Sequence, residues 1–151
     1  MRILVIGSGG VGSAVAAIAR RRGFFERMVL ADLSADRAQA AAPVDDDRFG
    51  SAQVDASDAA AIVELARAER ADVILNACDP WLNPPIFAAA LEAGCTYLDM
   101  AMTLSGRHPE KPFELPGVML GDEQFEAAGR WEQAGQLALV EIGRESCRER
   151  V

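Results

Sequence analysis

The residues with the clearest chemical meaning in this chain are Gly7, Ser8, Gly9, Gly10, Val11 and Gly12, which fit G-x-G-x-x-G, and Asp32, about 20 positions beyond the last glycine. Together they are suited to grip a diphosphate and a sugar. Gly7 permits the tight turn out of a strand. Gly9 lets the backbone approach a pyrophosphate with no Cβ in the way, and Gly12 lets the following helix pack closely on the strand. Ser8, Gly10 and Val11 complete a cradle whose N–H groups open a helix and lack intrahelical acceptors. The helix dipole favours phosphate charge at that point. Asp32 is spaced to accept hydrogen bonds from the hydroxyls of an adenosine ribose. Its charge repels a 2′-phosphate, which argues for NAD; Arg37 keeps NADP open, because it is close enough in sequence to meet such a phosphate. A glycine-rich turn that binds nothing would leave Asp32 unexplained.

Further candidates fall at later strand ends. Asp55, Ala56, Ser57 and Asp58 follow a weak strand and would border the adenine, with Asp55 or Asp58 accepting from its amino group. The competing reading is that Ser57 caps the next helix and Asp58 complements its dipole. Asn76 and Ala77 end another strand beside the glycine turn, as candidate contacts for the pyrophosphate or the nicotinamide ribose. Asp99 ends the next strand. It is the one candidate for orienting substrate or the carboxamide, and the alternative is that it accepts backbone N–H groups. Cys78 has no His or Lys nearby in sequence to activate it and reads as a packed thiol. Arg107, His108 and Lys111 read as solvated loop groups. Asp45, Asp46 and Asp47 read as a charged turn, since three adjacent acids rarely converge on one ion. With His108 the single histidine, no His-based metal cluster can be built, and no metal is expected.

These positions need elements to hold them. Residues 2–6 form a β-branched apolar run of the kind buried on both faces of a sheet. Val11, Ala14, Val15, Ile18 and Ala19 recur as one helical face after the turn. Further strands are expected at 28–31 (closed by Asp32), 51–54, 72–76, 96–99 and 137–140. Ser34 caps a helix through Ala42 that Pro43 ends, and residues 59–69 form a helix with Ile62, Leu65 and Ala66 inward. Asn83 caps a helix with Pro84 at its first position, with Ile86, Phe87, Ala90 and Leu91 as its buried stripe and Gly94 as its stop. Asp122 caps a helix carrying Phe125, Ala128 and Trp131, ended by Gly135. Residues 100–121 form a loop rich in Pro, Gly and charge, long enough in a compact domain to signal function or mobility. Strands alternating with helices predict an α/β fold. It is a doubly wound parallel sheet of six strands in Rossmann order 3-2-1-4-5-6, helices on both faces making three layers.

Bulk properties narrow the partners. The 151 residues suffice for one domain with a real core, and half of them are hydrophobic. A net charge of −8 excludes a basic nucleic-acid surface and does not seek anionic membrane. The first apolar run is too short for a signal peptide, and no stretch reaches the length of a membrane span. Cys78, Cys95 and Cys147 are an odd count without C-x-x-C spacing, which reads as reduced thiols in a cytoplasmic protein.

Residues 2–12, the strand ending in Asp32, Val54 to Asp58, the tip at Asn76 and Ala77, and Tyr97-Leu98-Asp99-Met100-Ala101 together resemble the N-terminal domain of the saccharopine dehydrogenase family, over about residues 1–140. That family includes lysine 6-dehydrogenase and carboxynorspermidine dehydrogenase. The resemblance implies NAD(P)-dependent oxidation, or reductive formation, of a C–N bond on an amino-acid substrate, with Gly7, Gly9, Gly12 and Asp32 holding the cofactor. It also implies a second domain, absent from this chain, that holds substrate and makes the full-length protein a homodimer. Residues 141–151 depart from the family, switching to an Arg/Glu-rich run that resembles the translation of a common sequencing adapter; the expectation is a truncated reading frame with a non-native tail. Trp81, Phe87 and Trp131 are then expected at a surface the second domain would cover. The competing function is a non-catalytic nucleotide-sensing module of a transporter or channel, which would use the same turn and acid.

Overall fold

The computed structural model describes residues 1–141; the expectation for the segment that follows Glu141 lies outside the described residues. The apolar runs become the strands β1 (Arg2–Ile6), β2 (Arg27–Asp32), β3 (Phe49–Gln53), β4 (Val73–Asn76), β5 (Thr96–Asp99) and β6 (Ala138–Leu139). All pair in parallel, in the order β3-β2-β1-β4-β5-β6. Between them run α1 (Gly10–Ala19), α2 (Ala35–Ala41), α3 (Ala59–Glu69), α4 (Asn83–Ala93), α5 (Asp122–Glu126) and α6 (Ala128–Ala134). The register sets Ile6 beside Ala31 on one side and Asn76 on the other, with Asp99 beside Asn76. The strand tips therefore line up where the order reverses between β1 and β4, the place where such sheets take ligands.

The two-residue period of the strands divides the core. Leu4 and Ile6 point to one face, with Val29, Ala31 and Ile74, and pack under Ile62, Ile86 and Trp131 from α3, α4 and α6. Ile3 and Val5 point to the other face, with Met28 and Leu30, under Ala16 and Ala19 of α1.

Several elements differ from the sequence expectation. Helix α1 buries Gly12, Ala16 and Ala19, while Val11 is 46% and Ile18 60% exposed. Gly12 sets that rotation: a Cβ there would lie 2.0 Å from the Gly7 carbonyl oxygen, so only glycine can face the turn, and Ala16 and Ala19 follow on its side. Strand β3 starts at Phe49, two residues early, because the Phe49 ring packs edge-on against Phe25 with centroids 5.5 Å apart. Strand β6 is only two residues long. Asn83 is the first residue of α4 and not its cap; its side chain turns inward and is fully buried. The 122–134 segment breaks into α5 and α6, with Phe125 exposed, and Gly121 occupies the cap position while the Asp122 carboxylate accepts the Met119 N–H at 2.6 Å.

The three aromatic residues expected at a coverable surface part company. Phe87 and Trp131 are buried, their ring centroids 4.9 Å apart, and Tyr97 meets Phe87 edge-on at the same distance. Trp81 is 75% exposed. Replacing Trp131 by Ala removes an indole from the centre of this cluster and is expected to cost about 3–5 kcal/mol. Trp81→Ala is expected to change stability by no more than about 0.5 kcal/mol. Urea unfolding of the two variants checks this, and equal destabilisation would contradict the assignment of the two rings.

Candidate functional site

The turn between β1 and α1 is held open by two glycines that nothing larger could replace. Gly7 has φ +98°, and a Cβ on it would meet the Cys78 Sγ at 2.8 Å and the Ala77 carbonyl oxygen at 2.9 Å. Its N–H donates to the Ala31 carbonyl at 2.8 Å, which ties the turn to β2. At Gly9 and Gly10 a Cβ would meet nothing within 4 Å, so the space before the helix start is open. The backbone N–H groups of Gly9, Gly10, Val11 and Gly12 have no acceptor among the described residues. Four converging amides at the positive end of a ten-residue helix, with free space before them, are suited to phosphate oxygens.

Ser8 has a different part. Its side chain is buried, its hydroxyl donates to the Ala31 carbonyl at 3.3 Å, and its N–H donates to Asp32 Oδ2 at 2.9 Å. Ser8 therefore fastens the acid to the cradle and does not offer its own amide. Asp32 closes the arrangement from β2. Its Oδ1 accepts from the Ser34 N–H at 3.0 Å and lies 3.2 Å from the Arg37 Nε. Ser34 caps α2 by accepting the Arg37 N–H at 3.3 Å, which sets the guanidinium over the carboxylate. Burial pushes the Asp32 carboxyl up, but the amides of Ser34 and Ser8, the Arg37 charge and the Leu33 amide together outweigh it and hold the group below the usual Asp value.

At the tip of β3, Asp55 Oδ1 accepts both the Ser57 N–H at 2.8 Å and the Ser57 hydroxyl at 2.7 Å, and this pairing holds its carboxyl below the ordinary range. The cap of α3 is Asp58, which accepts the Ala61 N–H at 3.0 Å; Ser57 is not the cap, because its hydroxyl is turned back to Asp55. Ala56 packs against the core cluster under α3.

The tips of β4 and β5 carry a buried polar chain that sequence reading did not assemble. Asn76 donates through Nδ2 to Asn83 Oδ1 at 2.7 Å and to the Tyr97 hydroxyl at 3.1 Å, and its Oδ1 accepts the Cys78 N–H at 2.9 Å. Asn83 donates to the Ala101 carbonyl at 2.6 Å. Asp99 accepts Gln124 Nε2 at 2.7 Å and the Glu141 N–H at 2.8 Å, while Gln124 Oε1 takes the Thr103 N–H at 2.9 Å. Burial pushes the Tyr97 hydroxyl far up, Asn76 pulls it partly back, and the adjacent Asp99 raises it further, so it stays neutral. Asn76 and Asp99 are thus occupied by internal partners. Ala77 keeps its place against the turn, its N–H donating to the Ile6 carbonyl at 2.8 Å. Asn83 had one legible signal, a polar group between Leu82 and Pro84, whereas Gln124, set between Glu123 and Phe125, had none.

Burial and the charges of Asp32 and Asp79 push the Cys78 thiol up to about 11, so it is protonated and a poor nucleophile near neutrality. Arg107 and His108 line an open hollow of about 600 Å³ within the 100–121 loop, where His108 Nδ1 accepts the N–H groups of Glu110 and Lys111. Asp45 pairs with Arg20, and Asp46 with Arg48. Among the described residues no group of three His, Cys, Asp or Glu could hold a metal ion, and no helix is long and apolar enough to cross a membrane.

Residues 3–139 match the family described as the saccharopine dehydrogenase NADP binding domain. The chain is 29% identical over 149 residues to carboxyaminopropylagmatine dehydrogenase of Synechocystis sp., covering 94% of this chain and 34% of that protein. It is 29% identical over 157 residues to carboxynorspermidine synthase of Vibrio cholerae, covering 95% of this chain and 36% of that protein. The chain thus spans about a third of the length of these relatives. Apo saccharopine dehydrogenase (L-Glu forming) from Saccharomyces cerevisiae shares the fold, with a TM-score of 0.68 at 17% identity over 95% of this chain and 27% of that one. With the match running from β1 into β6 and spanning the glycine turn and Asp32, the chain belongs to the saccharopine dehydrogenase NADP-binding domain family.

Proposed function

We propose that this chain is the cofactor-binding domain of an NAD(P)-dependent oxidoreductase that exchanges a hydride at a carbon bonded to nitrogen in an amino-acid-derived substrate. The observation that carries the reading is the open cradle of four unpaired amides with Asp32 fastened at its mouth. The donor set fits a dinucleotide: amides for a diphosphate and a carboxylate for a ribose. When bound, the nicotinamide supplies or takes up the hydride. The amides of Gly9, Gly10, Val11 and Gly12 hold the pyrophosphate. Asp32 takes the ribose hydroxyls, Asp55 and Ala56 border the adenine, and the backbone at Ala77 borders the nicotinamide ribose. Asn76 and Asp99 act as positioning residues, through Asn83 and Gln124, and not as catalytic ones. Residues that touch the substrate, and the contacts of a homodimer, belong to the whole protein.

Arg37 decides how strict the cofactor choice is. A ribose hydroxyl adds hydrogen bonds to Asp32 beside the guanidinium, whereas a 2′-phosphate must draw Arg37 away from the carboxylate and still face its charge. NADH is therefore expected to bind more tightly than NADPH, with NADPH tolerated. Asp32→Ala is expected to weaken NADH by about tenfold, the scale of a lost charge-assisted hydrogen bond, and to narrow the gap between the two. Arg37→Ala should weaken NADPH alone. Fluorescence titration of the three chains checks this. Equal wild-type affinities would contradict the NAD preference, and a folded chain that binds neither ligand would contradict the site.

The same carboxylate predicts a pH dependence. Its folded pKa is depressed, so the stability it contributes is present above the unfolded value and is lost as pH falls through the folded one. The stability advantage of the wild type over Asp32→Asn, from urea midpoints, is expected to be constant near neutrality and to shrink below about pH 4. An advantage that grows on acidification would contradict the assigned shift.

A further inference from the structure

The connection between β4 and α4 presents an aromatic ring that the fold itself does not use. Trp81 is largely exposed, and among the described residues its indole stacks on no other ring and its Nε1–H finds no acceptor. Its backbone, in contrast, is fixed. The Trp81 N–H donates to Asp79 Oδ1 at 3.1 Å, and the Leu82 N–H to the Asp79 carbonyl at 2.9 Å, closing a 3-10 turn over Pro80–Leu82. The Asn76–Asn83 bond pins the two ends of the connection to each other. A rigid mount for an unpartnered indole is a costly use of a large apolar side chain unless something flat comes to lie on it.

The position of the mount says what that is. Ala77 and Cys78, at its start, are the atoms a Cβ on Gly7 would strike, so the connection abuts the phosphate cradle. Asp32 holds the opposite flank of the cradle, on β2, where the adenosine ribose belongs. A dinucleotide anchored at both points directs its other half across β1 toward β4. Trp81 is four residues beyond Ala77, within about 14 Å along the chain, which is on the scale of the remaining nucleotide. Met100, the first residue past β5, is also partly exposed and adds apolar surface at the neighbouring tip.

We propose that Trp81 stacks on the nicotinamide ring of the bound dinucleotide and fixes the face it offers to substrate. The inference rests on the cofactor reading above and extends it to the reactive ring. Calorimetric titration of the chain with NADH and with ADP-ribose, which lacks the nicotinamide, tests it on Trp81→Ala and Trp81→Phe. Trp81→Ala should weaken NADH by about tenfold and leave ADP-ribose unchanged, and Trp81→Phe should restore most of the loss, as base stacking on aromatic side chains does. The buried Trp131 reports through its emission that each variant is folded. An unchanged NADH affinity overturns the proposal and leaves the ring to a substrate or another domain. An equal loss for both ligands also overturns it, since the ring would then act on the cradle. Wild-type chain that binds ADP-ribose but gains nothing from the nicotinamide counts against Trp81 alone, whereas failure to bind ADP-ribose overturns the cofactor reading and this inference with it.

Discussion

The ligand end of the sheet depends on a close approach between two glycines. Gly12 sits so near the Gly7 carbonyl oxygen that a side chain of any size would force α1 off β1. That contact fixes the rotation of α1 about its axis and brings its first amides to the end of the sheet, so the small face of the helix is buried and Val11 and Ile18 are left outside. The exposure of two branched residues is the local cost of the geometry. Gly7, with its positive φ, turns the chain just far enough for its own N–H to reach Ala31, and the adjacent Ser8 amide then reaches Asp32. A short chain of contacts thus links backbone sterics to the placement of a charge.

The other half of the ligand edge is built differently. Where the β1 and β2 tips rely on backbone amides and one carboxylate, the β4 and β5 tips rely on a buried polar network in two neighbouring groups, Asn83–Asn76–Tyr97 and Thr103–Gln124–Asp99. Such a network is worth having only when nearly complete, because each unpaired buried polar group costs on the order of 1–3 kcal/mol. Here it makes four links between separate pieces of chain. It ties the start of α4 to β4, Ala101 to Asn83, Thr103 to α5, and Glu141 to β5. The long loop is therefore anchored at its root, while Phe113 and Met119 farther along it remain exposed.

What could be read from the sequence follows from how local each signal is. The strand order was legible because glycine turn, helix and acid fall within one βαβ unit, and the alternation of the remaining elements allows few topologies. Asp32 was legible because its spacing from Gly12 is set by the length of that unit. The face of α1 was not, since apolar periodicity favours Val11 and Ile18 over alanines, and the close contact at Gly12 is a tertiary fact. Asn83 before Pro84 reads as a helix cap by local rules, but its true partners lie on β4 and beyond β5. Ser57 and Asp58 are both good caps, and only the pull of Asp55 on the Ser57 hydroxyl decides between them. Asp99 could be placed at a strand tip from sequence, but its engagement by Gln124, some way along the chain, could not.

The proposed function stands or falls on whether the amides at the start of α1 grip a diphosphate while Asp32 takes the neighbouring sugar. The most direct measurement is a titration of ¹⁵N-labelled protein with ADP-ribose, following the backbone amide resonances one by one. The signals of Gly9, Gly10, Val11 and Gly12 are expected to move first and furthest, with Ser8 and Ser34 shifting as Asp32 engages the ribose. Shifts confined to the 100–121 loop or to the outer face of α3, with the turn amides unmoved, would contradict it.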